Sequence, residues 1–239
     1  TNGGLNTFDP RTQTFTRYFQ DQGLPGSEIA GLLEDQAGMI WISTARGLTE
    51  LNPDTRVFRQ VFSRDYGNPF RSNYFNMLVQ DTHHNYWIAT SHGLVFFDLK
   101  SNRITRFFHI PDDSTSLPDN HVQTLMFDDQ QNLWVGTRNG IARFNEEQMN
   151  FTCPAAFKNH EISLERKQIQ VMHQHENQIW IGTNGQGLYV YNIEKEFVTA
   201  FSNHPNHQNT ISDNRVFDIF TDQSGVMWIG TFNGLNKLN

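Results

Sequence analysis

The sequence has a single cysteine, Cys153, in 239 residues. One cysteine excludes an intrachain disulfide and any zinc site built from paired thiolates. Histidine is more abundant, but the close pairs His173/His175 and His204/His207 have no third ligand at a diagnostic spacing. We therefore predict neither a metal nor a cofactor.

Long apolar runs, clustered positive charge and helical periodicity are also scarce. No run approaches the ~20 apolar residues that cross a bilayer, and the N-terminus lacks a charged-then-apolar signal segment. The formal net charge is −7, with Lys and Arg dispersed along the chain, which argues against a nucleic-acid partner. Apolar residues with a period of 3.6 are missing, which excludes a solenoid of helix pairs.

What the sequence does contain is one motif repeated five times. All five tryptophans begin a segment of the form W-[IV]-[GSA]-T, followed by a turn that ends in Gly-Leu or Gly-Ile, and the fourth copy has one extra residue in that turn. The spacings between successive tryptophans are 46, 47, 46 and 48 residues. A fixed period in this range is typical of propeller blades.

Each repeat divides into four predicted strands, a to d. Strand a is a short apolar run, and an aspartate six residues before the tryptophan opens the turn into strand b. Asn-Gly or an equivalent pair then leads into strand c, since such pairs favour tight hairpins. In the fourth repeat we align Gln174 with these aspartates. The aligned positions are Asp35, Asp81, Asp128, Gln174 and Asp222.

Four antiparallel strands per repeat predict an all-β propeller, and we treat residues 1–239 as a single propeller region. Residues 1–19 resemble the end of a preceding blade, so we expect further elements before it. We expect the tryptophans to be structural and to pack between adjacent blades; they are Trp41, Trp87, Trp134, Trp180 and Trp228. The repeat cores are 24–62, 70–108, 117–153, 164–201 and 211–239.

The motif resembles the two-component regulator propeller repeat. That family forms the extracytoplasmic sensor region of many bacterial hybrid histidine kinases and of some diguanylate cyclases, usually ahead of a small β-sandwich, a transmembrane helix and cytoplasmic output domains. The resemblance implies a periplasmic location, an oligosaccharide as one ligand class, the receptor's other blades and downstream domains as partners, and signalling through a homodimer.

The number of blades has two interpretations. The family's propellers commonly have seven blades, which at this period need about 320 residues. We favour an arc of about five blades from such a propeller. The alternative is a closed five-bladed ring in which the C-terminal strands complete the N-terminal blade; that ring would leave one strand c redundant.

The strand order predicts where a ligand would bind. If strand a runs from one rim to the other, the d–a loops and the b–c turns share a rim. Side chains on this rim differ from repeat to repeat within a regular scaffold, as expected for a surface that contacts a small polar ligand, although solvated loop positions also vary freely. The candidate binding residues are Glu28, Arg46, Tyr74, His92, His121, Arg138, Asn139, Gln168, Asn184, Gln186, Arg215 and Phe232.

Three classes of function fit a propeller. We favour a non-catalytic ligand sensor, with a protein-interaction scaffold as the alternative. A lyase or glycosidase is the weakest of the three, because the recurring aspartates are turn residues and no nucleophile elbow, catalytic triad or phosphate loop is present. Exposed aromatics or arginines clustered on a rim would favour the scaffold.

Overall fold

The computed structural model describes residues 3–63, 74–158, 162–207 and 209–238, with residues 62 and 63 described through their backbone. Thr1, Asn2 and the start of the second predicted repeat core (70–73) lie outside these ranges. The described residues form strands and two short 3₁₀ turns, Gln20–Gln22 and Ala155–Lys158. The predicted fold class, an all-β propeller of four-stranded antiparallel blades, is confirmed.

The strands form a partial sheet followed by five blades. The partial sheet is β1 (Leu5–Asp9) and β2 (Thr14–Tyr18). The first blade contains β3 (Ile29–Glu34), β4 (Ile40–Thr44), β5 (Gly47–Asn52) and β6 (Val57–Ser63). The second contains β7 (Phe75–Gln80), β8 (Tyr86–Thr90), β9 (Gly93–Asp98) and β10 (Arg103–Phe107). The third contains β11 (Val122–Phe127), β12 (Leu133–Thr137), β13 (Gly140–Asn145) and β14 (Asn150–Thr152). The fourth contains β15 (Ile169–His175), β16 (Gln178–Thr183), β17 (Leu188–Asn192) and β18 (Phe197–Phe201). The fifth is β19 (Val216–Thr221), β20 (Met227–Thr231), β21 (Gly234–Leu238).

The chain divides into two compact units, residues 1–106 and 107–239. In the first unit, Trp41 of the first blade lies against Tyr86 of the second, with ring centroids 4.4 Å apart. In the second unit, Trp134 packs with Ile169 and Met172 of the fourth blade. Three of the tryptophans are therefore seen between adjacent blades, since Trp180 packs in the same way against the fifth blade.

Neighbouring blades approach so closely that strand b needs a small residue after the Trp-Ile or Trp-Val pair. A Cβ atom added to Gly136 would lie 2.7 Å from Cγ2 of Ile169 in the fourth blade. A Cβ atom on Gly182 would lie 2.6 Å from Cγ1 of Val216 in the fifth. Contacts this short are sterically forbidden, so strand a of the next blade requires the small third residue of the motif.

The aspartate of each a–b turn also explains its fixed distance from the tryptophan. In the third blade, Trp134 donates its indole N–H to Asp128 at 2.9 Å. The equivalent bond joins Trp41 to Asp35 at 2.8 Å in the first blade. The same carboxylates accept backbone N–H groups from the turn, so one side chain closes the hairpin and satisfies a buried indole.

Asp35 has an additional donor from the next blade. The Tyr86 hydroxyl donates to its second oxygen at 2.8 Å. Burial by itself would raise the pKa of Asp35, but the hydrogen bonds from Trp41, Tyr86 and two turn N–H groups outweigh it and hold the pKa below its usual value. Burial and this ionised partner raise the pKa of Tyr86. The carboxylate therefore links two blades while remaining charged.

The fourth blade corrects one sequence alignment. Its a–b hairpin is a residue shorter, because Trp180 pairs with His173 whereas Trp134 pairs with Met126. The position equivalent to the aspartates is thus His175, and the alignment of Gln174 with them is wrong. The indole N–H of Trp180 is buried and has no hydrogen-bond partner among the described residues.

Gln174 instead has the role of Gln80 in the second blade. The side-chain oxygen of Gln174 accepts the backbone N–H of Asp129 at 2.7 Å, and that of Gln80 accepts the N–H of Gln36 at 3.0 Å. In both cases the donor follows the turn aspartate of the preceding blade. These glutamines therefore join consecutive a–b turns.

We predict that Trp134→Phe is more destabilising than Trp180→Phe. The first change leaves the buried Asp128 carboxylate without one donor, and the second removes an indole N–H that has no partner. Because a hydrogen bond to a charged group is worth about 2 kcal/mol, the loss at residue 134 should exceed that at residue 180 by roughly this amount. Urea unfolding of the two variants measures the difference, and equal losses would contradict the assigned role of the aspartate.

We also predict an acid-sensitive contribution from Asp222. Hydrogen bonds from Ser224 and Trp228 lower its pKa to about 2, below the value of about 3.9 in an unfolded chain. The ionised Asp222 therefore stabilises the folded state fully above the unfolded pKa, and this contribution is lost as the pH falls toward 2. The melting temperatures of the wild type and Asp222→Asn should converge between pH 5 and about 2. A constant difference across that range would show that the carboxylate charge is irrelevant.

Candidate ligand-binding rim

The threonine at the end of strand b fixes the shape of each b–c turn. In the third blade, Thr137 donates its hydroxyl to the carbonyl of Gly140 at 2.8 Å and accepts the N–H of Asn139 at 3.2 Å. The donated bond recurs at Thr44, Thr90, Thr183 and Thr231. Since the turn backbone is held by the threonine, the other turn side chains are free to vary.

The residue that opens strand a lies beside the b–c turn of its own blade. In the third blade, the N–H of Arg138 donates to the carbonyl of His121 at 3.0 Å. This places the d–a loop and the b–c turn on one rim, as the strand order predicted. The equivalent bonds join Ser91 to Tyr74, Asn184 to Gln168 and Phe232 to Arg215.

Backbone hydrogen bonds also join the b–c turn of one blade to the loop that enters the next blade. The N–H of Gly140, in the b–c turn of the third blade, donates to the carbonyl of Lys167 in the loop that enters the fourth, at 2.9 Å. Gly187 of the fourth blade donates in the same way to Asn214. The candidate rim is therefore a continuous hydrogen-bonded surface in the second unit.

In the first unit, three of the predicted binding residues line one cavity of about 440 Å³. Glu28 comes from the loop entering the first blade, Arg46 from its b–c turn and Tyr74 from the opening of the second blade. The cavity thus combines a carboxylate, a guanidinium and an exposed phenol. Gln20 and Ser27 complete its polar lining and were missed in the sequence.

In the second unit, Arg215 forms an ion pair and contacts an aromatic ring. Its Nε and Nη2 atoms donate to the two oxygens of Asp213, each at 3.0 Å. Its Cζ atom lies 3.5 Å from the centroid of the Phe232 ring, which is 62% exposed. The hydrogen bonds from Arg215 lower the pKa of Asp213 to about 2, so the pair is ionised at neutral pH. This arrangement leaves Nη1 available next to an aromatic face.

The fourth blade extends this group of side chains. Asn184 donates from its side chain to the amide oxygen of Gln168 at 3.2 Å, and its backbone forms a bridge to Arg215 of the fifth blade. The structure therefore brings Gln168, Asn184, Arg215 and Phe232 together across two blades. Asp213 was missed as a partner. The sequence does carry a signal for it: Asp213 and Asp119 each stand two residues before the residue that opens strand a. Each aspartate accepts the backbone N–H of that residue, Arg215 or His121.

The remaining candidates lie on the rims of their own blades. His92 and Arg138 are exposed, Gln186 is exposed in the lengthened turn, and His121 is half-buried. Nδ1 of His92 is 3.0 Å from the hydroxyl of Ser91. Asn139 lines a second cavity on the outer side of the third blade. The binding role of the predicted residues stays a prediction.

Within the described ranges, no group of three or more His, Cys, Asp or Glu side chains is arranged to hold a metal ion. His173 bonds through Nε2 to the hydroxyl of Thr221 at 2.9 Å, and burial lowers its pKa. The rings of His204 and His207 are 6.2 Å apart. Among the described residues, no helix is long and apolar enough to span a membrane.

Comparison with known families supports the repeat assignment. Residues 23–46, 116–139 and 210–233 match the model described as "Two component regulator propeller". These three segments are similar to two-component regulator propeller repeats. Each match runs from the loop before strand a through the b–c turn, so it covers the interface glycine or serine, the tryptophan and the candidate rim together.

Three proteins that resemble this chain are much longer than it is. Histidine kinase P4 of Formosa agariphila is 35% identical over 60 residues, which are 25% of this chain and 4% of the kinase. The extracellular domain of the putative hybrid two-component system BT3049 of B. thetaiotaomicron superposes with a TM-score of 0.82 at 23% identity, covering 99% of this chain and 30% of that one. PorZ of Porphyromonas gingivalis superposes with a TM-score of 0.75 at 16% identity, covering 98% and 35%.

Proposed function

We propose that this chain is the ligand-sensing part of an extracytoplasmic propeller in a membrane-bound receptor of the hybrid histidine kinase or diguanylate cyclase type. The observation that carries the proposal is the rim itself. In every blade, the hydrogen bond from the threonine hydroxyl to the carbonyl of the turn glycine holds the b–c turn, while the other side chains on that turn differ. A rigid scaffold with variable side chains is how loops commonly build binding sites.

The chemistry of the rim suits a small polar ligand. Arg215 is held by Asp213, so its free donors are oriented before a ligand arrives and little side-chain entropy is lost on binding. Because the ion pair is neutral overall, it favours hydrogen-bonding groups over a strongly charged ligand. The exposed ring of Phe232 offers a flat apolar face beside those donors. An oligosaccharide fragment presents this combination of hydroxyl groups and apolar C–H faces.

A protein partner is the second candidate, and one observation favours it. Phe217 and Phe232 are 46% and 62% exposed, with ring centroids 6.3 Å apart beside Arg215. Aromatic and arginine side chains are the residues that dominate protein interfaces. On this reading the same patch of the fifth blade would contact a protein, including a second copy of the receptor.

We predict that Arg215→Ala removes the response to a ligand without unfolding the chain. The test is a thermal-shift screen of the purified protein against oligosaccharides and other small polar metabolites. The class that binds should raise the melting temperature saturably, and Arg215→Ala should weaken that effect at least tenfold, about 1.4 kcal/mol. Lys195→Ala, an exposed change in the c–d turn on the opposite rim of the fourth blade, should leave it unchanged.

Two other outcomes decide against the ligand sensor. A saturable shift that Arg215→Ala leaves intact would place the ligand elsewhere. No shift with any compound, together with self-association in sedimentation that Phe232→Ala abolishes, would identify the rim as a protein interface.

A further inference from the structure

A second cavity lies beside the outer strand of the third blade, and Asn139 is the one candidate rim residue that lines it. Its volume is about 550 Å³, which is within the range of small-molecule sites. One wall is the loop 109–118 that enters the blade, and the other is formed by Lys158 and residues 165–166, which follow it. The two walls meet at Gly140, which has Pro118 on one side and Glu165 on the other. We call this space the outer cavity.

The outer cavity exists because the fourth strand of this blade is short. Strand β14 contains three residues and is followed by the 3₁₀ turn at Ala155–Lys158, whereas β18 of the next blade has five. The floor that is left open is apolar: Leu117, Ile141 and Phe151 each line it and are at least 97% buried within the protein.

The walls of the outer cavity carry opposite charges. Asp112 and Asp113 are on the entering loop, and Lys158 and Arg166 are on the facing segment together with Glu165. The first wall therefore has a formal charge of −2 and the second +1. The ion pairs found among the described residues do not include any of these five side chains. Oδ1 of Asp113 accepts the N–H and the hydroxyl of Thr115, so the charges left to a ligand are Asp112, the second oxygen of Asp113, Lys158 and Arg166.

The loop that carries the two aspartates is rigid. The N–H of His109 bonds to the side chain of Asn120 at 2.8 Å, and Nδ1 of His109 donates to the carbonyl of Leu117 at 2.7 Å. The N–H of Phe151 in β14 bonds to the carbonyl of Thr115 and fixes the loop against the floor. The carboxylates are therefore displayed on a preformed wall.

The fifth blade provides an internal comparison. Its entering loop begins with the same bond, since the N–H of Asn203 donates to the side chain of Asn214 at 2.7 Å. That loop has no acidic residue between Asn203 and Thr210. The first bond of the loop thus recurs, whereas the paired carboxylates belong to the third blade, where Asp113 also accepts the N–H and the hydroxyl of Thr115.

We infer that the outer cavity binds a small zwitterion with an apolar body, specifically an apolar α-amino acid or dipeptide. The ammonium group contacts Asp112 and Asp113, the carboxylate contacts Lys158 and Arg166, and the apolar side chain rests on the floor formed by Leu117, Ile141 and Phe151. Charge-assisted hydrogen bonds at both ends orient the ligand, and apolar burial supplies affinity. This site shares Asn139 with the candidate rim, but it includes none of the side chains grouped around Arg215.

Cys153 is a built-in reporter for this inference, because it is the only cysteine and it lines the outer cavity. The experiment measures the rate at which a thiol reagent modifies Cys153 in the full chain, with L-leucine or L-leucyl-L-leucine as probes, and melting temperature as a second readout. We expect at least one probe to slow modification saturably and to raise the melting temperature. The N-acetylated and C-amidated forms of that probe should each bind at least tenfold more weakly.

Matched variants locate the site. Asp112→Asn and Arg166→Asn each remove one charge at a position with positive φ, which asparagine tolerates. Each should weaken protection of Cys153 at least tenfold, while Arg215→Ala on the rim should not. If Cys153 itself reacts too slowly, the exposed Thr152→Cys in a Cys153→Ser background reports on the same cavity.

The inference is overturned if neither probe protects the thiol at millimolar concentration in either reporter. It is also overturned if blocked and free probes protect equally, or if neither charge variant changes the protection. Loss of protection in Arg215→Ala with retention in both cavity variants would assign the ligand to the rim instead.

Discussion

The close approach of neighbouring blades is the constraint on which the rest of this structure depends. Strand a of one blade lies so near strand b of the preceding one that Gly136 and Gly182 have no room for a Cβ atom. Packing at this distance buries Trp41, Trp134, Trp180 and Tyr86, and the polar atoms of such side chains need partners within the protein. The turn aspartates meet that need. The recurring motif therefore encodes one kind of interface, which is seen once within the first unit and twice within the second.

Much of this architecture could be predicted because it depends on periodicity alone. The tryptophan spacing gave the blade length, and the antiparallel order placed the d–a loops and b–c turns on one rim. The alignment of Gln174 failed for a physical reason. The a–b hairpin of the fourth blade is one residue shorter than the others. Counting back six residues from Trp180 therefore gives Gln174, which lies in strand a, instead of the turn position held by His175. The orphan indole of Trp180 is the consequence.

The candidate site was predictable as a set of positions but not as contacts. Strand order located Gln168, Asn184, Arg215 and Phe232 on the rim, yet nothing in the spacing showed that Arg215 would stack on Phe232 and bind Asp213. Such pairings depend on rotamers and on the lengthened turn of the fourth blade. The outer cavity was harder still, because it arises where a strand stops early and its two walls are about 45 residues apart in sequence.

The rim and the blade interface share atoms in the second unit, and this bears on how binding could be transmitted. Asn184 of the fourth blade forms a backbone bridge to Arg215 of the fifth, and Gly187 bonds to Asn214 of the same entering loop. A ligand that contacts Asn184 and Arg215 together therefore touches both sides of a blade boundary. If the two blades can pack in two ways, such a ligand shifts the balance between them only by the difference in its affinity for each packing. At the opposite rim the side chain of Gln174 bonds to Asp129 of the third blade. Because Gly140 also bonds to Lys167 on the candidate rim, the fourth blade is held to the third at both rims, and a ligand on Asn184 and Arg215 acts on its other boundary.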